Sequence, residues 1–235
     1  MKIGYNFLIL FILSIGLASC EYDNYDEPNA TLQGRVVYGG EPIGVAVNEV
    51  NFELWEPGWQ LKTPINVTVA QDGSYSASLF NANYKLVFRQ NQGPFRMVHN
   101  SATDSDTILV DVSGNTVLDI EVEPYYLIRN PQFSLADNVV NATASLEQII
   151  TGEDAKNVEQ VSLFLNKTQF VDQRGDYNLA RTDISGADIE DLGNISLSTN
   201  VPDLVRSQSF IYARIGVKIE GVEDMLYSPV QQLAL

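Results

Sequence analysis
Ile211-Tyr212-Ala213-Arg214-Ile215-Gly216-Val217-Lys218-Ile219-Glu220 alternates apolar with mostly polar or small side chains from end to end. A period of two sends Ile211, Ala213, Ile215, Val217 and Ile219 to one face and Tyr212, Arg214, Gly216, Lys218 and Glu220 to the other. The segment therefore predicts a half-buried β-strand, dry on one side and wet on the other. Residues 221–224 supply a turn, and the chain beyond them returns as a second strand in which Pro229 predicts an edge position. Upstream, Val161, Leu163 and Leu165 alternate, Ile195-Ser196-Leu197 is a further short strand, and Tyr125-Tyr126 begins a strand directly after Pro124. Residues 145–150 fit either helix or strand, and their neighbours favour strand.

The first half reads the same way. Residues 31–37 form a strand that Gly39-Gly40-Glu41-Pro42 interrupts, after which residues 43–50 are expected to resume extended chain. Val50, Phe52 and Leu54 alternate with Asn51, Glu53 and Trp55, so Trp55 points away from the core, and Pro57-Gly58 leaves Trp59 on a loop. Gln71-Asp72-Gly73-Ser74 is a tight turn into Tyr75, Ala77 and Leu79, and Tyr84, Leu86 and Phe88 follow with period two. An irregular loop carries Phe95, Arg96 and His99. Two last strands, Ile108-Val110-Val112 and Leu118-Ile120-Val122, are expected to join directly through Ser113-Gly114-Asn115. Helical periodicity is scarce throughout. The expectation is an all-β protein of two tandem β-sandwich domains, residues 30–123 and 124–235.

Ahead of them lies a leader. Lys2, the apolar run Phe7-Leu8-Ile9-Leu10-Phe11-Ile12-Leu13 and small Ala18-Ser19 make a secretory signal peptide over residues 1–19, too short for a comfortable membrane span. Cys20, the single cysteine, stands at the cleavage point with no disulfide partner. The arrangement resembles the lipobox of bacterial lipoproteins, which implies acylation of Cys20 and a durable membrane anchor of several chains. Glu21-Tyr22-Asp23-Asn24-Tyr25-Asp26-Glu27 makes residues 20–29 an acidic tether that anionic lipid would repel. The run is similar to the signal that exports Bacteroidetes lipoproteins to the outer face of the outer membrane, so an outer-membrane, surface-exposed location is expected. The chain carries a net charge of −16, and losing residues 1–19 removes one lysine and makes it −17. Such a surface repels phosphate backbones and speaks against nucleic acid or an anionic polysaccharide as partner.

The inventory offers little chemistry. His99 has no Ser or Asp at triad spacing, and a lipidated Cys20 leaves no thiol for catalysis. Zinc needs several His or Cys ligands. Asp104-Ser105-Asp106 and the acids between Asp183 and Asp191 read as solvated turns, because neither follows the twelve-residue calcium loop. No cofactor, metal or enzymatic activity is expected, although paired carboxylates are numerous enough to make a hydrolase a third reading. The distinctive groups are Trp55, Trp59, Phe95 and Arg96. Aromatic faces stack on the apolar faces of sugar rings and Arg bonds to hydroxyls, so these four are the candidate contact residues for a neutral glycan. Against this stands a purely packing role for both tryptophans.

Gly34-Arg35-Val36 with Gly44-Val45-Ala46-Val47, then Asp72-Gly73-Ser74-Tyr75 and Tyr84-Lys85-Leu86, resembles the carboxypeptidase-regulatory or transthyretin-like β-sandwich. Asn81-Ala82-Asn83 departs from the Pro-Gly turn usual there, and Asn tolerates the left-handed backbone. The strand order of the second domain resembles a fibronectin type III or immunoglobulin-like sandwich, but Tyr212 falls on the outward phase, so that fold's corner tyrosine is not evident. The longer run from Asp23-Asn24-Tyr25-Asp26 through Val37-Tyr38-Gly39-Gly40 to Leu54-Trp55-Glu56-Pro57-Gly58 is similar to a family of Bacteroidetes lipoproteins encoded beside starch-utilisation-type transporter and binding-protein pairs. That resemblance implies an accessory role in glycan acquisition, with such a pair as partner. The competing reading is a structural spacer or pilin-like subunit whose sheet edges pair with other chains.

Overall fold
A computed structural model describes residues 26–58, 62–203 and 208–235. Cys20, the leader and Trp59 lie outside the described residues. The first sandwich is built from β1 (Ala30–Tyr38), β2 (Glu41–Pro42), β3 (Asn51–Trp55), β4 (Ile65–Thr68) and β5 (Ser74–Leu79). It continues with β6 (Ala82–Phe88), β7 (Phe95–Met97), β8 (Ile108–Val112), β9 (Asn115–Val117) and β10 (Ile120–Pro124). One sheet runs β2-β1-β10-β7, with β5 and β9 also on β1, and the other runs β4-β3-β6-β8. Phe52 of β3 meets Tyr75 of β5 edge-on at 4.9 Å between ring centroids, which places the two sheets face to face.

The second sandwich comprises β11 (Tyr126–Ala136), β12 (Val139–Gln148), β13 (Val158–Asn166), β14 (Ala180–Ser185), β15 (Ile195–Asn200), β16 (Phe210–Ile219), β17 (Leu226–Tyr227) and β18 (Gln231–Ala234). Its sheets are β11-β12-β15 and β14-β13-β16, with β17 and β18 along the far side of β16. The ambiguous segment at 145–148 is therefore strand, as its neighbours required.

Three expectations change. Residues 43–50 do not extend: Val47, Asn48 and Glu49 form a turn with Asn48 at φ 58°, and Ile43, Val45 and Ala46 are buried at the domain junction. The connection at 113–115 does not lead straight into the last strand; residues 115–117 form β9, which pairs parallel with β1. The strand 211–219 is not half-buried. Arg214 is 1% exposed and Gly216 is also buried, because the 167–179 segment, β17 and the first domain cover its polar face. A Cβ on Gly216 would lie 2.8 Å from the Phe164 ring and 2.9 Å from that of Tyr227. Gly216 thus occupies the polar phase because nothing larger fits there.

The junction is polar and continuous. A backbone bond joins the Tyr227 N–H to the Gly44 carbonyl at 3.0 Å. Arg214 donates to the carbonyls of Val45 (3.0 Å) and Gln71 (2.7 Å) in the first domain, and of Val171 (3.2 Å) and Ser228 (2.7 Å) in the second. Asp172, fully buried, accepts from the Val47 N–H at 3.3 Å and from Arg174, whose guanidinium also reaches Glu49 and the Val47 carbonyl.

Candidate functional site
β6 ends at Phe88, and the chain then loops through residues 89–94 before β7 pairs with β10. Asn91 (φ 65°) and Gly93 (φ 80°) take left-handed backbone in this loop. At Gly93 glycine is required twice over, since a Cβ would strike the Phe95 ring at 2.4 Å. The Gly93 N–H donates to Asp224 Oδ2 of the second domain at 2.7 Å, and burial pushes the Asp224 carboxyl up against the opposing effect of that bond. The loop and the second domain enclose a cleft of about 270 Å³.

Its walls are polar. The β7–β10 register sets Arg96 opposite Glu123, and the guanidinium bonds to Glu123 Oε2 at 2.6 Å and, across the junction, to Asp154 Oδ2 at 2.7 Å. Hydrogen bonds to these two carboxylates hold the Arg96 guanidinium above its ordinary value. Lys156 lies 5.4 Å from the Tyr125 ring centroid and donates to the Gly221 carbonyl at 3.1 Å. Gln90 and Asp106 complete the mouth.

Arg89 links this cleft to Trp55. The β3–β6 pairing puts Trp55 and Glu53 on the outer face of the sheet, and an ion pair with Glu53 brings Arg89, one residue past the end of β6, to the same side. The Trp55 indole N–H donates to Glu53 Oε2 at 2.9 Å, while Arg89 Nε donates to Glu53 Oε1 at 2.5 Å. Glu53 therefore fixes the indole and the guanidinium together, on a side chain itself 13% exposed.

Of the four candidates, the structure gathers Trp55 and Arg96 around one continuous surface. Phe95 requires correction: it lies in β7 rather than on a loop, is 7% exposed, and packs edge-on against Phe88 at 5.6 Å, flooring the cleft without offering a face. His99 is solvated, 3.5 Å from Asp104. Sequence reading missed Glu53, Arg89, Tyr125 and Lys156. Glu53 was legible as the residue two before Trp55 on the same strand face, whereas Lys156 belongs to the other domain and no local pattern could bring it there. Among the described residues no three His, Cys, Asp or Glu side chains converge as a metal group does.

Fold and site define a tandem β-sandwich protein with an open polar cleft at its domain junction and an aromatic group at the cleft's edge. The chain belongs to the DUF3823 family: residues 30–123 match the "Protein of unknown function (DUF3823) N-terminal domain" and residues 126–232 the "Domain of unknown function (DUF3823_C)". It is similar to a crystal structure of a DUF3823 family protein from Bacteroides ovatus, at 33% identity and TM-score 0.75, covering 88% of this chain and 99% of that one. A Parabacteroides merdae member is 34% identical, with TM-score 0.75 and coverage of 88% and 100%. A Bacteroides uniformis structure described as a "putative carbohydrate binding protein" shares the fold at 24% identity and TM-score 0.68, covering 88% and 100%. No curated protein matches the chain.

Proposed function
We propose that this chain is a non-enzymatic surface lipoprotein, anchored to the outer membrane through Cys20, that binds or docks a neutral glycan for a polysaccharide uptake system. The observation that carries the glycan reading is the Trp55–Glu53–Arg89 group beside the junction cleft. It presents an indole held in place for stacking, next to guanidinium and carboxylate groups that can bond to hydroxyls. Arg89 and Arg96 are each matched by carboxylates, so the surface suits an uncharged, polyhydroxylated ligand. The description of the Bacteroides uniformis relative is in keeping with this. The lipobox-like leader and acidic tether support the surface location, and the fibronectin type III resemblance is supported by the division of the second domain into β11-β12-β15 and the sheet around β16. Affinity electrophoresis through gels containing neutral polysaccharides tests the binding. At least one polysaccharide should retard the wild type and not Trp55→Ala or Arg96→Ala, and equal mobility of all three in every gel overturns the reading. Metabolic labelling with a fatty acid, expected for wild type and absent from Cys20→Ala, tests the anchor.

A spacer role is the second reading, favoured by the polar staple of Arg214, Asp172 and Arg174 that locks the two sandwiches. Surface cross-linking that yields a ladder of polymers of this chain would establish it in place of glycan capture.

A further inference from the structure
We propose that the ligand is a linear neutral oligosaccharide lying along β6, from the junction cleft to a platform of Trp55, Lys85 and Leu109, and not a single sugar held in the cleft. The inference rests on the glycan reading above and specifies its ligand. Register decides it. Trp55 is directly opposite Lys85, and Lys85 directly opposite Leu109, so the three form one row across β3, β6 and β8. Glu53 and Val87 form the next row, and Arg89 follows on the same phase of the β6 chain. The strand side chains share the outer face, because alternate residues of a strand point the same way, and the ion pair with Glu53 holds Arg89 on that side.

The platform is open, and apolar apart from the Lys85 ammonium. Leu109 is 58% exposed, among the most exposed large apolar side chains of the described residues, and no described segment covers it. Trp55 and Val87 beside it are half-buried. An indole, the aliphatic stem of a lysine and a leucine in one row make a flat strip of the kind that stacks on sugar rings. Extended chain from Lys85 to Arg89, one residue past the end of β6, spans about 13 Å, and Arg89 is at once the end of this track and a wall of the cleft. Glu53 couples the two ends by accepting from both Trp55 and Arg89. A monosaccharide in the cleft would leave the platform unused, whereas a chain of several rings meets both. The guanidinium groups along the track already have carboxylate partners, which selects an uncharged chain.

The test is titration calorimetry on the full mature chain, with glucose, xylose, mannose and galactose each beside a neutral hexasaccharide of the same sugar. At least one hexasaccharide should bind about tenfold or more tighter than its monosaccharide. Trp55→Ala should remove about that advantage and Trp55→Phe should restore most of it. Leu109→Ala, a change at an exposed side chain that does not threaten folding, should weaken the hexasaccharide a few-fold and leave the monosaccharide unchanged. A monosaccharide bound as tightly as its hexasaccharide, or a hexasaccharide indifferent to both Trp55→Ala and Leu109→Ala, overturns this inference and leaves the glycan reading standing. Absence of binding by every sugar overturns the glycan reading, and this inference with it.

Discussion
Tyr84 is 1% exposed near the start of β6, and its hydroxyl donates to the Phe80 carbonyl, four residues upstream, at 3.0 Å. Such a backward bond from a buried tyrosine closes the corner where a strand enters a sandwich. The fibronectin-like resemblance points to such a device in the second domain, where the strand phase sets Tyr212 outward, and a phase argument reports only which way a side chain faces. It cannot report which carbonyl a phenol meets. Burial, assisted by Glu56, pushes the Tyr84 phenol up, so it stays a donor at any physiological pH. Tyr84→Phe keeps the ring and strands the Phe80 carbonyl, for an expected loss of about 1 kcal/mol. Urea unfolding should show a lower midpoint with unchanged slope, and a coincident midpoint would mean that water or another group satisfies the carbonyl equally well.

At the scale of elements, the 89–94 loop is the piece that makes the cleft, and it is held at one point by Asp224. That carboxyl is 8% exposed and burial raises it above its ordinary 3.8, with the Gly93 N–H opposing. The folded value is the higher one, so the stability it contributes is full below about pH 4 and is lost as pH rises through the folded value. Asp224→Asn retains an oxygen for the Gly93 N–H and has no charge to bury. The difference in melting temperature, wild type minus variant, should therefore fall as pH rises from about 4 through the folded value. Parallel melting curves across that range would show that the carboxylate is better solvated than its burial implies. The loop's place in the chain was visible as Gly93-Pro94 punctuation, but β7 was not. Three residues are too few to show a period, and only pairing with β10 makes them a strand.

For the whole molecule, the junction of the two sandwiches is centred on a guanidinium that sits where their loops meet. Arg214 is 1% exposed, bonds to four carbonyls from both domains, and lies 4.5 Å from the Tyr227 ring centroid. Burial lowers it to about 10, so it is still charged at neutral pH. Replacing it by methionine keeps the bulk but leaves those carbonyls without their donor. A loss of roughly 1–3 kcal/mol is expected, the cost of leaving buried acceptors without a donor. The consequence should also be one of cooperativity. Calorimetry should show a single transition in the wild type and two in Arg214→Met, as each sandwich melts by itself. An unchanged single transition would assign the coupling to Gly44, Tyr227 and the Asp172–Arg174 pair instead.

The sequence alone determined that the chain is all-β, that it divides into two sandwiches, and which face of β3 carries Trp55. These follow from a period of two and from turn residues, and both are local. Tertiary structure alone decided that Arg214 staples the domains, that Phe95 is floor and not surface, and that Arg89, Arg96 and Lys156 share a cleft. The reason is physical: alternation separates two faces of a strand, but whether the polar face meets water or another domain depends on segments more than a hundred residues away, as Val45 is from Arg214.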